Sequence, residues 1–350
     1  MPAVPAIVAI PAWNEAERIA ACLTALANQI RPPTGAVLLA NNCTDGTEAI
    51  ARGVAASFRI EIVSLALPPE CADAGTARRL AMQLAATLAG PRGVVLTTDA
   101  DAVVPADWVA LNLEALASGA DIVCGQAVID PHEARAIAAH LHADDALECE
   151  YADLLDALAD ATCPDPADPR PRHTEASGAS LAVTVDALRR AGGVPALPMG
   201  EDRALVAALA RIDARIRHDP GIRVTVSGRL EGRAPGGMAD TMRRRMIRQD
   251  EFTDAVLEPA VDALRRADFR RRVRAAWANR GTEPDLAADL LLEQATLDRL
   301  LDTPFRGTAW ANIEQASRLM HRRRVRFTEL PRQIAHARDL LTSLSPAVAS

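Results

Sequence analysis

Over residues 4–130 short apolar runs alternate with stretches of helical spacing, and that alternation restricts the fold more than any other feature of the chain. Residues 4–11, 37–40, 60–67, 94–98 and 122–128 have the length and β-branched content of buried strands. Between them lie 15–27, 44–55, 76–88 and 106–117. The first of these sets Ile19, Cys22, Leu23 and Leu26 on one helical face. Strands separated by helices of this length predict an α/β fold: a mostly parallel sheet with helices on both faces. Right-handed crossovers leave few arrangements open.

The pattern then changes. Residues 132–161 read as one long polar and Ala-rich helix with room for a break, and 163–172 holds Pro164, Pro166, Pro169 and Pro171, which a helix cannot carry. A strand is expected at 177–185, a helix at 201–210 and a strand at 223–227. From Met238 on the chain reads as helical, with breaks near Gly281-Thr282-Glu283-Pro284 and at 304–307. The expected organisation is a catalytic domain over 1–237, with a nucleotide-binding half (1–130) and an acceptor half (131–237), and a helical extension over 238–350.

Charge is distributed unevenly. The 39 basic residues are all Arg; residues 241–350 hold 20 of them against 15 acidic residues, which leaves the first 240 residues near −12. An acidic front argues against nucleic acid as a partner, because phosphate attraction dominates that binding. The runs Arg243-Arg244-Arg245, Arg270-Arg271-Arg272 and Arg322-Arg323-Arg324 read as solvated helix faces, with contact to an anionic acceptor or a membrane surface as the alternative. No stretch approaches the ~20 apolar residues of a membrane span. No basic–apolar leader precedes Pro11 and Asn14. A cytoplasmic protein is expected, with the inner membrane face as a peripheral option. Its six cysteines form no C-x-x-C pair and read as free thiols. The helical tail leaves a homodimer open.

Ligands of open parallel sheets bind beyond the carboxyl ends of the strands. Three predicted strands deliver polar clusters there: Pro11-Ala12-Trp13-Asn14-Glu15, Asn41-Asn42-Cys43-Thr44-Asp45 and Thr98-Asp99-Ala100-Asp101. Two carboxylates leaving a buried strand repel one another unless a cation or donors offset them. Oxygen ligands suit Mg²⁺ or Mn²⁺, which bind one or two carboxylates together with substrate phosphates. Helix capping is the alternative for each cluster. There is no P-loop, no G-x-G-x-x-G after the first strand and no G-x-S-x-G elbow. Phosphates would then fall to metal and arginine, with Arg78 and Arg79 as candidates. Glu201 and Asp202 open a helix, where the helix dipole accounts for acidic residues and a general base is the functional alternative. His140 and His142, two apart on a helix, cannot share a metal. His218, before Asp219-Pro220-Gly221, reads as a turn residue.

In order, P-A-x-N-E, N-N-C-T-D-G-T, D-A-D, G-A-S-L-A (178–182), G-G-V-P (192–195) and G-E-D-R-A-L (200–205) resemble family 2 glycosyltransferases of the GT-A fold, over residues 4–235. The resemblance implies transfer of one sugar from a nucleotide-sugar donor, of UDP or GDP type, to a hydroxyl acceptor, with inversion. It implies that Pro11, Asn14 and Glu15 line the nucleotide pocket and that Asn41 stands where an acidic residue usually reads the base. Arg78 would approach the sugar diphosphate. Asp99 and Ala100 would border the nucleotide sugar, and Asp101, with Asp99, would ligate Mg²⁺ or Mn²⁺. Gly178, Ala179 and Ser180 would lie on the acceptor side. Asp202 would be the base, and Glu201 would contact sugar or acceptor. The histidine of the family's V-x-H-x-x-R is absent from Val224-Thr225-Val226-Ser227-Gly228-Arg229, and so is the Q-x-x-R-W of processive synthases. A retaining transferase, a nucleotidyltransferase and a non-catalytic nucleotide-sugar-binding homologue remain as alternatives.

Overall fold

The computed structural model describes residues 4–230, 232, 237–280 and 283–344. Two compact units form: one from Met1–Ile137, Arg170–Ala210 and Ala214–Arg243, the other from Ala138–Pro169, Arg211–Asp213 and Arg244–Ser350.

The first unit is built on a seven-stranded sheet. Its strands are β1 (Ala6–Ala12), β2 (Gly35–Asn41), β3 (Arg59–Leu65), β4 (Val94–Thr97), β5 (Ile122–Ile129), β6 (Leu181–Thr184) and β7 (Ile216–Val226). The order across the sheet is β3-β2-β1-β4-β6-β5-β7, and only β6 runs antiparallel to its neighbours. Its helices are α1 (Ile19–Ala27), α2 (Thr47–Gly53), α3 (Ala74–Ala89), α4 (Trp108–Ala117) and the four-residue α5 (Pro131–Ala134). Alternation along β1 explains its unbroken apolar run. Ala6, Val8, Ile10 and Ala12 pack with Leu23 and Leu26 of α1 and with Trp108 and Leu113 of α4. Ile7 and Ala9 are buried on the opposite face, and α3 packs against β1 and β2. A strand covered on both faces needs apolar side chains at every position. A mostly parallel sheet with helices on both faces, followed by a helical C-terminal region, is the GT-A-like arrangement that the motifs implied.

Two strands differ from the sequence reading. β6 covers less of 177–185 than expected, because residues 177–180 turn, with the Ser180 N–H donating to the Ser177 carbonyl (3.0 Å), and because the Thr184 hydroxyl accepts from the Ala187 N–H (3.2 Å) and starts a helix. β7 begins well before residue 223. The Asp219-Pro220-Gly221 run expected as a turn is a bulge inside the strand, between the Cys124 and Gln126 pairings of β5. His218 therefore sits in the sheet, its ring edge-on to His173 at 5.5 Å.

In chain order the remaining helices are α6 (Ala139–Thr162), α7 (Val185–Arg190), α8 (Glu201–Arg211), α9 (Met238–Ile247), α10 (Ala260–Ala278), α11 (Leu286–Asp289), α12 (Gln294–Leu301), α13 (Arg306–Ala316) and α14 (Leu330–Leu344). The second unit joins α6 to α10 and α14. Leu147, Tyr151, Leu154, Leu155 and Leu158 recur on one face of α6; Tyr151 and Leu158 are buried with Leu257, Ala260, Leu330 and Ile334, and the other three pack against them partly buried. That shared core takes 138–169 out of the expected 131–237 half and into the C-terminal helices. Of the break expected near Gly281-Thr282-Glu283-Pro284, Gly281 and Thr282 lie outside the described residues, as do Glu231 and 233–235 at the end of the motif-bearing stretch. All six cysteines are free. No described helix is long and apolar enough to cross a membrane.

Candidate active site

The turns leaving β1 and β2 are shaped by asparagines. Asn14 and Asn42 take left-handed backbone, φ 57° and 53°, a conformation that asparagine tolerates better than most residues. The Asn14 side-chain oxygen accepts from the Thr44 N–H (2.7 Å), and its own N–H meets Cys43 Sγ at 3.3 Å. Asn42 exchanges two 2.9 Å bonds with the Leu67 backbone. These residues brace the ends of β1 and β2 and fix the direction in which the chain leaves each strand. Glu15, just beyond Asn14, donates its N–H to Thr47 Oγ1 (2.7 Å) and is almost fully buried.

Arg78 of α3 is the hub of the site. It donates from Nε to Glu201 (2.8 Å), from Nη1 to Thr97 Oγ1 and the Gly178 carbonyl (both 2.9 Å), and from Nη2 to Asp99 (2.5 Å). Burial works against its charge, but the carboxylates of Asp99 and Glu201 outweigh it and hold the guanidinium above its ordinary range. A Cβ on Gly178 would run into that guanidinium, so glycine is required there. The Glu201-Asp202 pair is thereby divided. Glu201, 5% exposed, is tied to Arg78, whereas half-buried Asp202 accepts from the N–H groups of Gly178 (2.8 Å) and Arg203 (2.7 Å).

Asp101 is electrostatically unsatisfied. Burial first, then neighbouring Asp99, push its carboxyl up to about 6, although Arg229 pulls the other way. Arg229 stands 3.2 Å from Asp101 and donates twice to Glu15 (2.7 and 2.5 Å). Asp99 and Asp101 thus set two carboxylates side by side, and Arg78 and Arg229 each divide their charge between one of them and a buried glutamate. The paired carboxylates and the all-oxygen donor set fit a divalent cation such as Mg²⁺ or Mn²⁺. Among the described residues no group of three or more His, Cys, Asp or Glu is placed to hold a metal.

One cleft gathers most of the expected residues. Pro11, Glu15, Asn41, Arg78, Asp99, Ala100, Asp101 and Ala179 line it, together with Trp13, Ser177, Ser227 and Arg229. Buried Asn41 keeps a side-chain oxygen without a hydrogen-bond partner. Asn14, Gly178, Ser180, Glu201 and Asp202 are not among the lining residues. The side chain of Ser180, expected on the acceptor side, is fully buried and accepts from the Trp108 indole N–H (2.9 Å). Arg229 and Trp13 line the cleft although the sequence reading assigns neither a role. For Arg229 a signal is present, since it ends the run in which the family's histidine is missing.

Residues 7–163 match the model of the family described as glycosyl transferase family 2. No curated protein matches the chain. Among solved structures the chain is similar to a mannosyltransferase from Pyrobaculum calidifontis in complex with GDP-Man and Mn²⁺, with 18% identity, 99% of this chain and 76% of that one covered, and a TM-score of 0.46. It is similar to TarS 1–349 of S. aureus in complex with UDP-GlcNAc, at 16% identity, 97% and 81% coverage and a TM-score of 0.47. A third is glucosyl-3-phosphoglycerate synthase from Mycobacterium tuberculosis with Mn²⁺, UDP and phosphoglyceric acid, at 17%, 70% and 78%, and 0.41. The family match spans less than half of the chain, and over that span the chain is similar to family 2 glycosyltransferases.

Proposed function

We propose that this chain is a family 2 glycosyltransferase that moves a single sugar from a UDP- or GDP-type donor to a hydroxyl acceptor, with Asp202 as base and a divalent cation at Asp101. The observation that carries this reading is the adjacent pair of carboxylates, Asp99 and Asp101, at the wall of a cleft that also presents Asn41 and Trp13. Asn41 offers the donor base an amide in place of a carboxylate, and Trp13 adds an aromatic face. Asp101, with the oxygen of Asp99 that Arg78 leaves free, would hold Mg²⁺ or Mn²⁺, which offsets the charge of a departing diphosphate.

In the transfer, the acceptor oxygen bonds to the anomeric carbon as the bond to the diphosphate breaks, and the hydroxyl proton passes to the Asp202 carboxylate. Glu201 is unsuited to that role because Arg78 engages its carboxylate inside the protein. The Gly178 N–H orients Asp202. Incubating the protein with UDP- and GDP-sugars, Mn²⁺ and a panel of hydroxyl acceptors should release nucleoside diphosphate and yield a product of inverted configuration. Retained configuration, or pyrophosphate released from a nucleoside triphosphate, counts against this reading.

A further inference from the structure

The segment after β7 carries a relay that the proposed transfer does not use. Glu133 of α5 accepts from the backbone N–H of Gly228 (2.6 Å), the Ser227 hydroxyl (3.0 Å) and the Arg18 guanidinium (2.8 Å). A Cβ on Gly228 would lie 2.7 Å from the Ile129 side chain and 3.1 Å from the Glu133 Cβ, so the segment packs tightly against β5 and α5. One residue further on, Arg229 is fixed by the two hydrogen bonds it donates to Glu15 and stands beside Asp101. The guanidinium thus faces the carboxylate that a divalent ion would need.

We propose that Arg229, positioned by Glu133, is a built-in counter-cation of Asp101 that opposes divalent-ion binding until a nucleoside diphosphate arrives. This inference rests on the metal reading of Asp101. Without nucleotide, ion and guanidinium share one carboxylate at close range, and like charges in a partly buried site repel strongly. A diphosphate brings new anionic oxygens that accept from the guanidinium and bind the ion, so both cations are accommodated. Ion and nucleotide then strengthen each other's binding by the same factor. An ion held loosely until the donor is present is the consequence, and Glu133 is a positioning residue acting through the 227–229 segment.

Titrating the full chain with Mn²⁺, with and without UDP or GDP, while reading free Mn²⁺ by electron paramagnetic resonance, tests this directly. Arg229→Gln should bind Mn²⁺ alone about tenfold more tightly than the wild type, and the gain from nucleotide should shrink by the same factor. Glu133→Gln should move Mn²⁺ affinity in the same direction by about threefold, an effect that a purely structural role would not produce. Arg229→Lys, which keeps the cation, should stay near the wild type. If Arg229→Gln fails to fold, the Glu133→Gln gain decides the question. Wild-type binding of Mn²⁺ with nucleotide, but no tightening in either neutral variant, overturns this inference and leaves the metal reading standing. No Mn²⁺ binding by the wild type even with nucleotide overturns both.

Discussion

Asp101 in the first unit and Asp250 in the second both sit beside arginines, and they are held in opposite states. Asp250 accepts from Arg244 (3.1 and 2.8 Å) and Arg245 (2.9 Å), and these bonds keep its carboxyl below the usual range despite partial burial. Asp101 has a share of one guanidinium, lies beside a second carboxylate and is pushed up to about 6. Where positive charge is ample, an arginine–carboxylate cluster ties a loop to a helix. Where it falls short inside a cleft, the cluster is prepared for a cation from outside. Counting arginines along the chain points the wrong way: the basic tail contains the settled pairs, and the acidic front contains the site.

The comparison is broken most severely at Asp101 itself. Asp101→Ala should lower transfer by at least ~10³-fold, if the cation there supplies several kcal/mol of charge stabilisation; near-normal turnover would refute the assignment. Asp202→Asn should reduce kcat by about 10²–10⁴-fold while nucleotide affinity is retained, as expected for loss of a general base. A matched loss of nucleotide binding would make Asp202 a scaffold residue instead. Arg78→Met strands Asp99 and Glu201 without their partner and should cost about 3–5 kcal/mol in urea unfolding, whereas a cost under about 1 kcal/mol would show that water already screens the site.

Acid should separate the two aspartates next. The folded pKa of Asp101 lies above its ordinary 3.8, so the nucleotide-free fold holds that proton more tightly than the unfolded chain does. Its contribution to stability therefore grows as pH falls through about 6 toward 4, by about 1–3 kcal/mol. Asp250, with its lowered pKa, contributes stability above the ordinary carboxylate range and loses it as pH falls below that range. Comparing pH profiles of unfolding for Asp101→Asn and Asp250→Asn reads the two signs separately. The smallest effect belongs to Asp250→Asn at neutral pH, about 1 kcal/mol or less in stability and none in nucleotide binding.

Much of the fold and the cleft is legible in the sequence because the first unit obeys local rules. The strands of 4–130 are apolar on both faces, and the polar residues gather where those strands end. Hence Pro11, Glu15, Asn41, Asp99 and Asp101 line one cleft. The hidden part depends on distance in the chain. The carboxylate of Glu201 is claimed by an arginine 123 residues away, and the Ser180 hydroxyl by a tryptophan 72 residues away; spacing says nothing about either. The place of α6 in the second unit is obscured because its leucines, diluted among alanines and aspartates, form a continuous face only when 147–158 is projected on a helix. Arg229 is masked in another way, since the family's motif marks its run by a histidine that this chain lacks.

The charge deficit at Asp101 is, on this account, the seat of a divalent cation and a nucleoside diphosphate. The most direct test is the thermal unfolding midpoint of the wild type, Asp101→Asn and Asp250→Asn with Mn²⁺ and a series of nucleoside diphosphates. At least one diphosphate should raise the midpoint of the wild type and of Asp250→Asn by several degrees only when Mn²⁺ is present, and Asp101→Asn should show no such rise. An equal rise in Asp101→Asn, or none in the wild type with any diphosphate, would contradict the claim.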